Sequence, residues 1–220
     1  MRITWYGHAA FLVETDGLRI ILDPFRSPDS GGYEPIAEPA DLVVVSHEND
    51  RYHSHLGQIV GSFDVVRALE LPPDGAVVRG IRFESVHVYE SPERLPEDEV
   101  TIVHFRSENL HLVFLGDLGH PLLEEELAPL RDADIVLAAA GGPPTIAVAD
   151  LPPLFDAIGA RIVIPMHFKT PKINLNIAPL EEFLAVIGNA PVERSDTSSI
   201  EVKQNSLPQK LSILVLEHAR

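Results

Sequence analysis

Three histidines, one aspartate and one glutamate fall within the ten residues Ser46–His55, SHENDRYHSH. This segment follows DLVVV, an apolar run that is typical of a strand buried on both faces. Imidazole and carboxylate groups suit a divalent metal such as zinc or manganese. A bound metal can lower the pKa of water enough to yield hydroxide near neutral pH, which is the nucleophile of many hydrolases. The segment therefore raises the question of whether it holds a catalytic metal.

Other apolar runs of the chain also end in polar residues. LVFLGDLGH ends in Asp117 and His120, RIVIPMH ends in His167, and VHVYE leads to Glu90. A buried strand has no use for Asp or His at its end unless a partner there pairs with it. Taken alone, Asp117 could cap a turn and His167 could be an ordinary core histidine. The joint occurrence of His47, Asp117 and His167 at strand ends predicts one shared site.

Composition restricts the classes of function. The 220 residues are 45% hydrophobic and 23% charged, which fits one globular domain over 1–220. The formal net charge of −16 argues against nucleic acid and anionic membrane, so a small molecule is the expected partner, and homo-oligomer formation is left open. The absence of cysteine excludes disulfides, thiol catalysis and thiolate metal sites. No targeting segment or membrane span is recognisable, which predicts a cytoplasmic protein.

The order of elements predicts an α/β fold. RITWYG, AAFLVET and LRIILDPF have the pattern of an antiparallel meander, and ADLVVVSH follows as a buried strand. Helices are predicted within or just after RYHSHLGQIV, and in LLEEELAPL, VADLPPLFDAI and APLEEFLAVI. The polar segment ERSDTSSIEVKQNSLPQK is predicted to be flexible. A mostly β first half and an alternating second half favour helices that cover two packed sheets.

The order of the motifs resembles the metallo-β-lactamase fold superfamily, and more narrowly the metal-dependent hydrolases related to ascorbate-6-phosphate lactonase. The matching pieces run along nearly the whole chain: ITWYGHAAFLVE, ILDPF, DLVVVSH, LGDLGHPL, GGPPTI and VIPMHFKT. The resemblance implies a four-layer αββα sandwich with its site at one edge. It also implies hydrolysis of an ester, lactone or phosphoester by metal-activated water.

The segment SHENDRYHSH departs from the family's main motif, His-x-His-x-Asp-His. Without a gap after His47, Asn49 replaces the second His, Arg51 the Asp and Tyr52 the last His. With one residue inserted, His53 keeps the last histidine and Tyr52 stands where the Asp was. We favour the inserted register, because the chain then continues with the family's spacing. In either register the second His and the Asp of the motif are missing.

The surviving motif residues predict the metal ligands. The resemblance assigns His53, Asp117 and His167 to one site, and His47 with Glu90 to the other. Glu90 stands where the family has a histidine, and a carboxylate can also bind these metals. Three protein ligands plus water are usual for a catalytic zinc, so one ion of zinc, manganese or nickel is favoured over two. Asp117 is also the predicted catalytic residue, because it would orient the attacking water.

A further group of residues is predicted to contact substrate or to support the ligands. These residues are His8, Asp50, Arg51, Tyr52, His120 and Lys169. Asp50 could also supplement the first metal site. His87, His104 and His111 are predicted to be structural or surface residues.

One alternative dispenses with both metal and catalysis. In it, Arg51 occupies the former metal site and pairs with Asp117 or Glu90, a charge-assisted contact that replaces the charge of the metal. The protein would then bind a small molecule or a partner without turning it over.

Overall fold

The computed structural model describes all residues, 1–220, and contains two β-sheets and three short α-helices. The strands are β1 (Arg2–Gly7), β2 (Ala10–Thr15), β3 (Leu18–Leu22), β4 (Leu42–Val45), β5 (Asp64–Arg67), β6 (Ala76–Val78), β7 (Ile81–Tyr89), β8 (Glu99–Ser107), β9 (Leu110–Phe114), β10 (Ile135–Ala139), β11 (Ile162–Met166), β12 (Val192–Arg194), β13 (Ser199–Glu201) and β14 (Ser212–Val215). The helices are α1 (Glu124–Leu127), α2 (Leu151–Ile158) and α3 (Leu180–Val186).

The strand directions bring the ends of several strands to one edge. The first sheet has the order β13-β1-β2-β3-β4-β5, and the second has the order β12-β14-β11-β10-β9-β8-β7-β6. β1, β2 and β3 form the predicted antiparallel meander, and β3 pairs with β4 in parallel. In the second sheet, β9, β10 and β11 are parallel. The carboxyl ends of β1, β3 and β4 therefore share one edge of the first sheet, and those of β9 and β11 share one edge of the second.

The first sheet is buried on both faces, and its side chains alternate between them. Leu42 and Val44 of β4 belong to the main core of 52 residues, which is shared with the second sheet. Val43 and Val45 point the other way, into a cluster of 13 residues that includes Phe25 and other side chains from loops. Successive side chains of a strand face opposite sides, so a strand buried on both faces reads as an unbroken apolar run. The prediction from DLVVV is confirmed.

Short helices complete the α/β sandwich. α2 has prolines in its first turn, where their missing N–H groups cost nothing, and it ends at Gly159, whose φ of 66° is left-handed. It buries Leu154, Phe155 and Ile158 in the main core. The α/β sandwich predicted from the motifs is confirmed. No helix has the length and apolarity that a membrane crossing requires.

The helix predicted within or just after RYHSHLGQIV is wrong. This stretch forms turns and irregular backbone after β4. The backbone N–H of His55 donates to the carbonyl of Pro24 at 2.9 Å, and that of Val60 donates to the carbonyl of Glu38 at 3.0 Å. These long-range bonds take the donors that a helix would use within itself.

The flexible segment predicted near the C-terminus is also wrong in part, because it contains β13 and most of β12. Ser199 and Ile200 of β13 pair with Thr4 and Ile3 of β1. This short strand therefore pairs with the backbone groups of β1 that would otherwise be unpaired, and it becomes the edge strand of the first sheet.

A buried histidine pair lies between β8 and β9. Nε2 of His111 is 3.3 Å from Nδ1 of His104, and the two residues are 1% and 5% exposed. Burial, followed by the charge of Arg106, lowers the pKa of each imidazole to about 4. His87, in contrast, is exposed on β7.

We predict that this pair makes folding sensitive to mild acid. Between pH about 6.5, the ordinary histidine pKa, and about 4, the unfolded chain binds protons at both positions and the folded chain does not. The free energy of unfolding should therefore decrease as the pH falls through this window. In urea denaturation at several pH values, the double variant His104→Gln/His111→Gln should show a shallower pH dependence than the wild type, and His87→Gln should not. Equal slopes for all three proteins would contradict the assignment.

Candidate metal centre

Strand ends from both sheets converge on one buried cluster. It contains His8 after β1, Asp23 after β3, His47 after β4, His53 from the following turn, Asp117 after β9 and His167 after β11. The ring centres of His8 and His167 are 4.4 Å apart, and those of His47 and His53 are also 4.4 Å apart. The structure thus brings together four of the five predicted metal ligands: His47, His53, Asp117 and His167.

His53 lies between two carboxylates. Its Nδ1 is 2.9 Å from Oδ2 of Asp23, and its Nε2 is 2.9 Å from Oδ2 of Asp117. Burial alone would lower the pKa of His53, but Asp117 and then Asp23 outweigh burial and raise it. Burial likewise opposes ionisation of Asp117, but His53 and His167 hold the pKa of that carboxyl well below its ordinary value. Such coupled shifts in a buried cluster are typical of functional sites.

Asp23 positions two histidines. The ligand atoms of Asp23, His47 and His53 lie within 4.8 Å of one another, which makes these residues a potential metal-binding group. However, Oδ1 of Asp23 accepts the backbone N–H of Ser46 at 2.7 Å, and Oδ2 accepts its hydroxyl at 2.5 Å and faces Nδ1 of His53. The Ser46 hydroxyl also lies 3.0 Å from Nδ1 of His47. Because both Asp23 oxygens are engaged, we assign Asp23 to orienting the imidazoles, a role that carboxylates often have beside metal ligands.

Asp23 was missed among the residues predicted from the sequence. The sequence does contain a pattern that identifies Asp23, because the apolar run in LRIILDPF is followed by an aspartate just as the run in LVFLGD is. The criterion that identified Asp117 also applies to Asp23.

Several buried donor and acceptor atoms of the cluster have no partner within the chain. They are both ring nitrogens of His8, Nε2 of His47, Oδ1 of Asp117 and Nδ1 of His167. Each unsatisfied buried polar atom costs roughly 1–3 kcal/mol. A divalent metal would satisfy such atoms, and a set of imidazole nitrogens and one carboxylate without thiolate suits zinc, manganese or nickel. The residues present therefore fit a metal ion.

Backbone strain accompanies the cluster. His8, Asp23 and His167 have φ values of 50°, 41° and 49°, in the left-handed region that most side chains avoid. The carbonyl of His8 accepts the backbone N–H of His167 and the indole N–H of Trp5, both at 3.0 Å. Strain of this kind costs of order 1–3 kcal/mol per residue and persists only where neighbours impose it. Here all three residues with this backbone conformation place their side chains in the same cluster.

A tight turn after His47 decides which residue of SHENDRYHSH enters the cluster. The carbonyl of Asn49 accepts the backbone N–H groups of Tyr52, His53 and Ser54 at 2.8–3.0 Å. The turn carries His53 into the cluster and places the ring of Tyr52 5.1 Å from that of His8. This arrangement corresponds to the inserted register, in which His53 keeps the place of the last histidine.

The structure contradicts the placement of Arg51 in the metal site. Its side chain is exposed, its Nε donates to the carbonyl of Asp29 at 2.8 Å, and its guanidinium lies 5.0 Å from the centre of the Tyr52 ring. A guanidinium cannot lose its charge, so burial beside unpartnered imidazoles would be costly. The turn directs Arg51 to solvent and His53 inward.

Asp50 and Lys169 also lie away from the cluster. Asp50 is exposed and pairs with Arg26 at 2.7 Å and with His55 at 2.9 Å, so it does not supplement a metal site. The ammonium of Lys169 donates to the carbonyls of Ile173 and of a second loop residue, at 2.9 and 2.8 Å. It therefore fastens a loop, and the predicted contact with substrate has no support in this geometry.

Glu90 and His120 lie beside the cluster, on the side of the second sheet. Gly119 lets the loop after β9 approach the carbonyl of Glu90 closely. Any larger residue would clash there, because a Cβ at this position would lie 1.6 Å from the carbonyl oxygen of Glu90. Burial, and then the charge of Asp117, raises the pKa of Glu90. Nε2 of His120 accepts the backbone N–H of Tyr89 at 3.2 Å, so this ring is used to hold the end of β7. Glu90 is half-buried, and its role as a ligand stays a prediction.

Comparison with known proteins agrees with this geometry. A family model described as beta-lactamase superfamily domain matches residues 2–167. A UPF0173 metal-dependent hydrolase of Methanopyrus kandleri is 27% identical over 198 residues, covering 77% of this chain and 85% of the relative. A UPF0173 protein of Pyrococcus abyssi is 28% identical over 184 residues, covering 77% and 84%. A crystal structure from Thermotoga maritima, assigned to the Zn-dependent hydrolases of the metallo-beta-lactamase superfamily, has a TM-score of 0.77 and 25% identity, and covers 98% of this chain and 99% of that one.

We predict that Asp23 controls metal affinity without binding the metal. Asp23→Asn should weaken Zn²⁺ binding about 10–100-fold, because an amide cannot accept hydrogen bonds from Ser46 and His53 in the same way. Competition with a chromophoric chelator measures this affinity, and circular dichroism checks that the variant is folded. Asp50→Asn is the matched control and should bind as the wild type does. Unchanged affinity in Asp23→Asn, or loss in Asp50→Asn, would overturn the assignment.

Proposed function

The chain belongs to the beta-lactamase superfamily, and from this premise we propose that it is a hydrolase dependent on a single divalent ion of zinc, manganese or nickel. The observation that carries the proposal is the group of unpartnered buried atoms on His8, His47, Asp117 and His167. The names of the Methanopyrus and Thermotoga proteins support the same activity. The proposed substrates are small molecules with an ester, lactone or phosphoester bond.

The proposed ligands are His53 through Nε2, Asp117 and His167, and Nε2 of His47 completes the donor set. When bound, a divalent ion lowers the pKa of water and polarises the bond that is cleaved. The set offers one carboxylate with an unpartnered oxygen, because Asp23 is occupied by Ser46 and His53. This shortage of carboxylates favours one ion over two.

The side chains have distinct roles in the proposed reaction. Asp117, whose Oδ1 has no partner within the chain, orients the attacking water. Burial, followed by the charge of neighbouring His167, holds the pKa of His8 well below its ordinary value, so His8 is neutral at neutral pH and can accept a hydrogen bond. The half-buried Tyr52 ring covers His8 from outside. Asp23 keeps His53 in the tautomer and orientation that the donor set needs.

We expect protein purified without added metal to contain about one equivalent of zinc, manganese or nickel by elemental analysis. Asp117→Ala and His167→Ala should each lose this metal, because each removes one of the few donors that the site offers. Arg51→Ala should keep it, since Arg51 faces solvent.

The thermal stability of the metal-free protein gives the deciding control. A ligand that binds only the folded state raises the free energy of unfolding by about 2.7 kcal/mol at 100 times its Kd. Zn²⁺, Mn²⁺ or Ni²⁺ should therefore raise the Tm of the metal-free wild type and of Arg51→Ala, but not that of Asp117→Ala. If none of these ions stabilises the wild type, the proposed function is wrong.

A further inference from the structure

A cavity of about 490 Å³ lies beside the metal cluster, between the loops that follow β7, β9 and β10. Glu90 and Gly119 form its boundary with the cluster: Gly119 follows Asp117 by two residues, and its backbone lies against the carbonyl of Glu90. Proline and alanine side chains supply most of the remaining wall. Cavities of this size accommodate small molecules, and active-site pockets usually adjoin the reactive groups.

The charges that face this cavity are all negative. Glu90, Asp98 and Asp150 line it, and no lysine, arginine or histidine does. Like charges around a shared cavity oppose each other's ionisation, and a positive group placed among them would relieve this repulsion.

These carboxylates are not used elsewhere in the fold. Asp150 directly precedes α2, where an aspartate commonly caps the helix, yet its side chain makes no capping hydrogen bond. The arginine of the neighbouring loop, Arg94, is paired with Glu126 at 3.0 Å and leaves the cavity without a cation. Elsewhere acidic residues do find arginines, as Glu38 does with Arg19 at 2.8 Å.

We propose that this cavity is the substrate pocket of the proposed hydrolase and that it selects substrates with a cationic group, a primary or quaternary ammonium, near the bond that is cleaved. This inference rests on the proposed function. Asp98 and Asp150 bind the cation at the cavity wall, while the bond to be cleaved lies past Glu90 at the cluster. Anionic substrates such as free phosphate monoesters are disfavoured twice, by the cavity and by the net charge of −16.

Three p-nitrophenyl esters of similar length test the selectivity: 4-(trimethylammonio)butanoate, its neutral isostere 5,5-dimethylhexanoate, and the glutarate monoester. The rates with Zn²⁺-loaded protein are divided by the rates of hydroxide-catalysed hydrolysis to remove intrinsic reactivity. We expect kcat/KM for the cationic ester to exceed that for the neutral ester at least tenfold, with the glutarate ester the poorest. The ratio should decrease only modestly with added NaCl, because salt screens half-buried charges less than exposed ones.

The double variant Asp98→Asn/Asp150→Asn tests the assignment directly, because it removes the two charges proposed to bind the cation. It should lower kcat/KM for the cationic ester at least fivefold and change that for the neutral ester by less than twofold. Hydrolysis of all three esters without a cationic preference would overturn the inference and leave the proposed function standing.

A binding measurement covers the case in which no ester is hydrolysed. Isothermal titration with benzyltrimethylammonium should then show binding that is lost in the double variant, and benzoate should not bind. Absence of benzyltrimethylammonium binding would overturn the pocket assignment. Absence of ester hydrolysis together with cation binding would count against the proposed esterase activity alone.

Discussion

The imidazole of His53 joins the two sheets at the site. One of its nitrogens faces Asp23 at the end of β3, in the first sheet, and the other faces Asp117 after β9, in the second sheet, both at 2.9 Å. All three groups are buried, so each charge depends on the others for its stability. Breaking such a buried pair by removing one partner typically costs about 3–5 kcal/mol, because an uncompensated charge remains. The position of His47 is linked to this contact, since Asp23 also fixes Ser46, which in turn faces His47.

The rest of the fold makes this contact rigid. The hydroxyl of Thr101 on β8 donates to the carbonyl of Ser46 at 2.6 Å, a second link between the sheets next to the first. The carbonyl of His8 accepts hydrogen bonds from both Trp5 and His167. The second of these bonds connects the end of β1 to the end of β11. A core of 52 buried residues between the sheets holds these strand ends in place. The left-handed backbone at His8, Asp23 and His167 persists because this packing leaves it no alternative.

Charge is arranged differently in the cluster and in the cavity next to it. In the cluster, acidic and basic side chains compensate one another, and the remaining unpartnered atoms are mainly neutral nitrogens that suit a metal. In the cavity, Glu90, Asp98 and Asp150 supply the charges of the wall, and no basic side chain lines it. The two regions meet at Glu90, where Gly119 allows the backbones to touch. A molecule that spans both regions would present a cation to one and a reactive bond to the other.

The sequence by itself determined most of the strands and most residues of the candidate metal centre. Runs such as LVVV and IVLAA identify buried strands because side-chain periodicity is a local property. The polar residues at the ends of such runs, His47, Asp117 and His167, were identifiable for the same reason. The family motifs added the sandwich and the superfamily, both of which are confirmed.

Only the tertiary structure decided which residues of SHENDRYHSH are used and what supports them. Sequence spacing left Arg51, Tyr52 and His53 in competition, and the turn around Asn49 resolved it by directing His53 inward and Arg51 outward. Asp23, one of the two carboxylate partners of His53, is 30 residues away in sequence. The carbonyl that accepts the backbone N–H of His55, and so keeps it out of a helix, belongs to Pro24. Such partners depend on which strand ends meet at the edge of the sandwich. Local residue patterns do not predict which strand ends lie together, because this is set by the packing of two whole sheets.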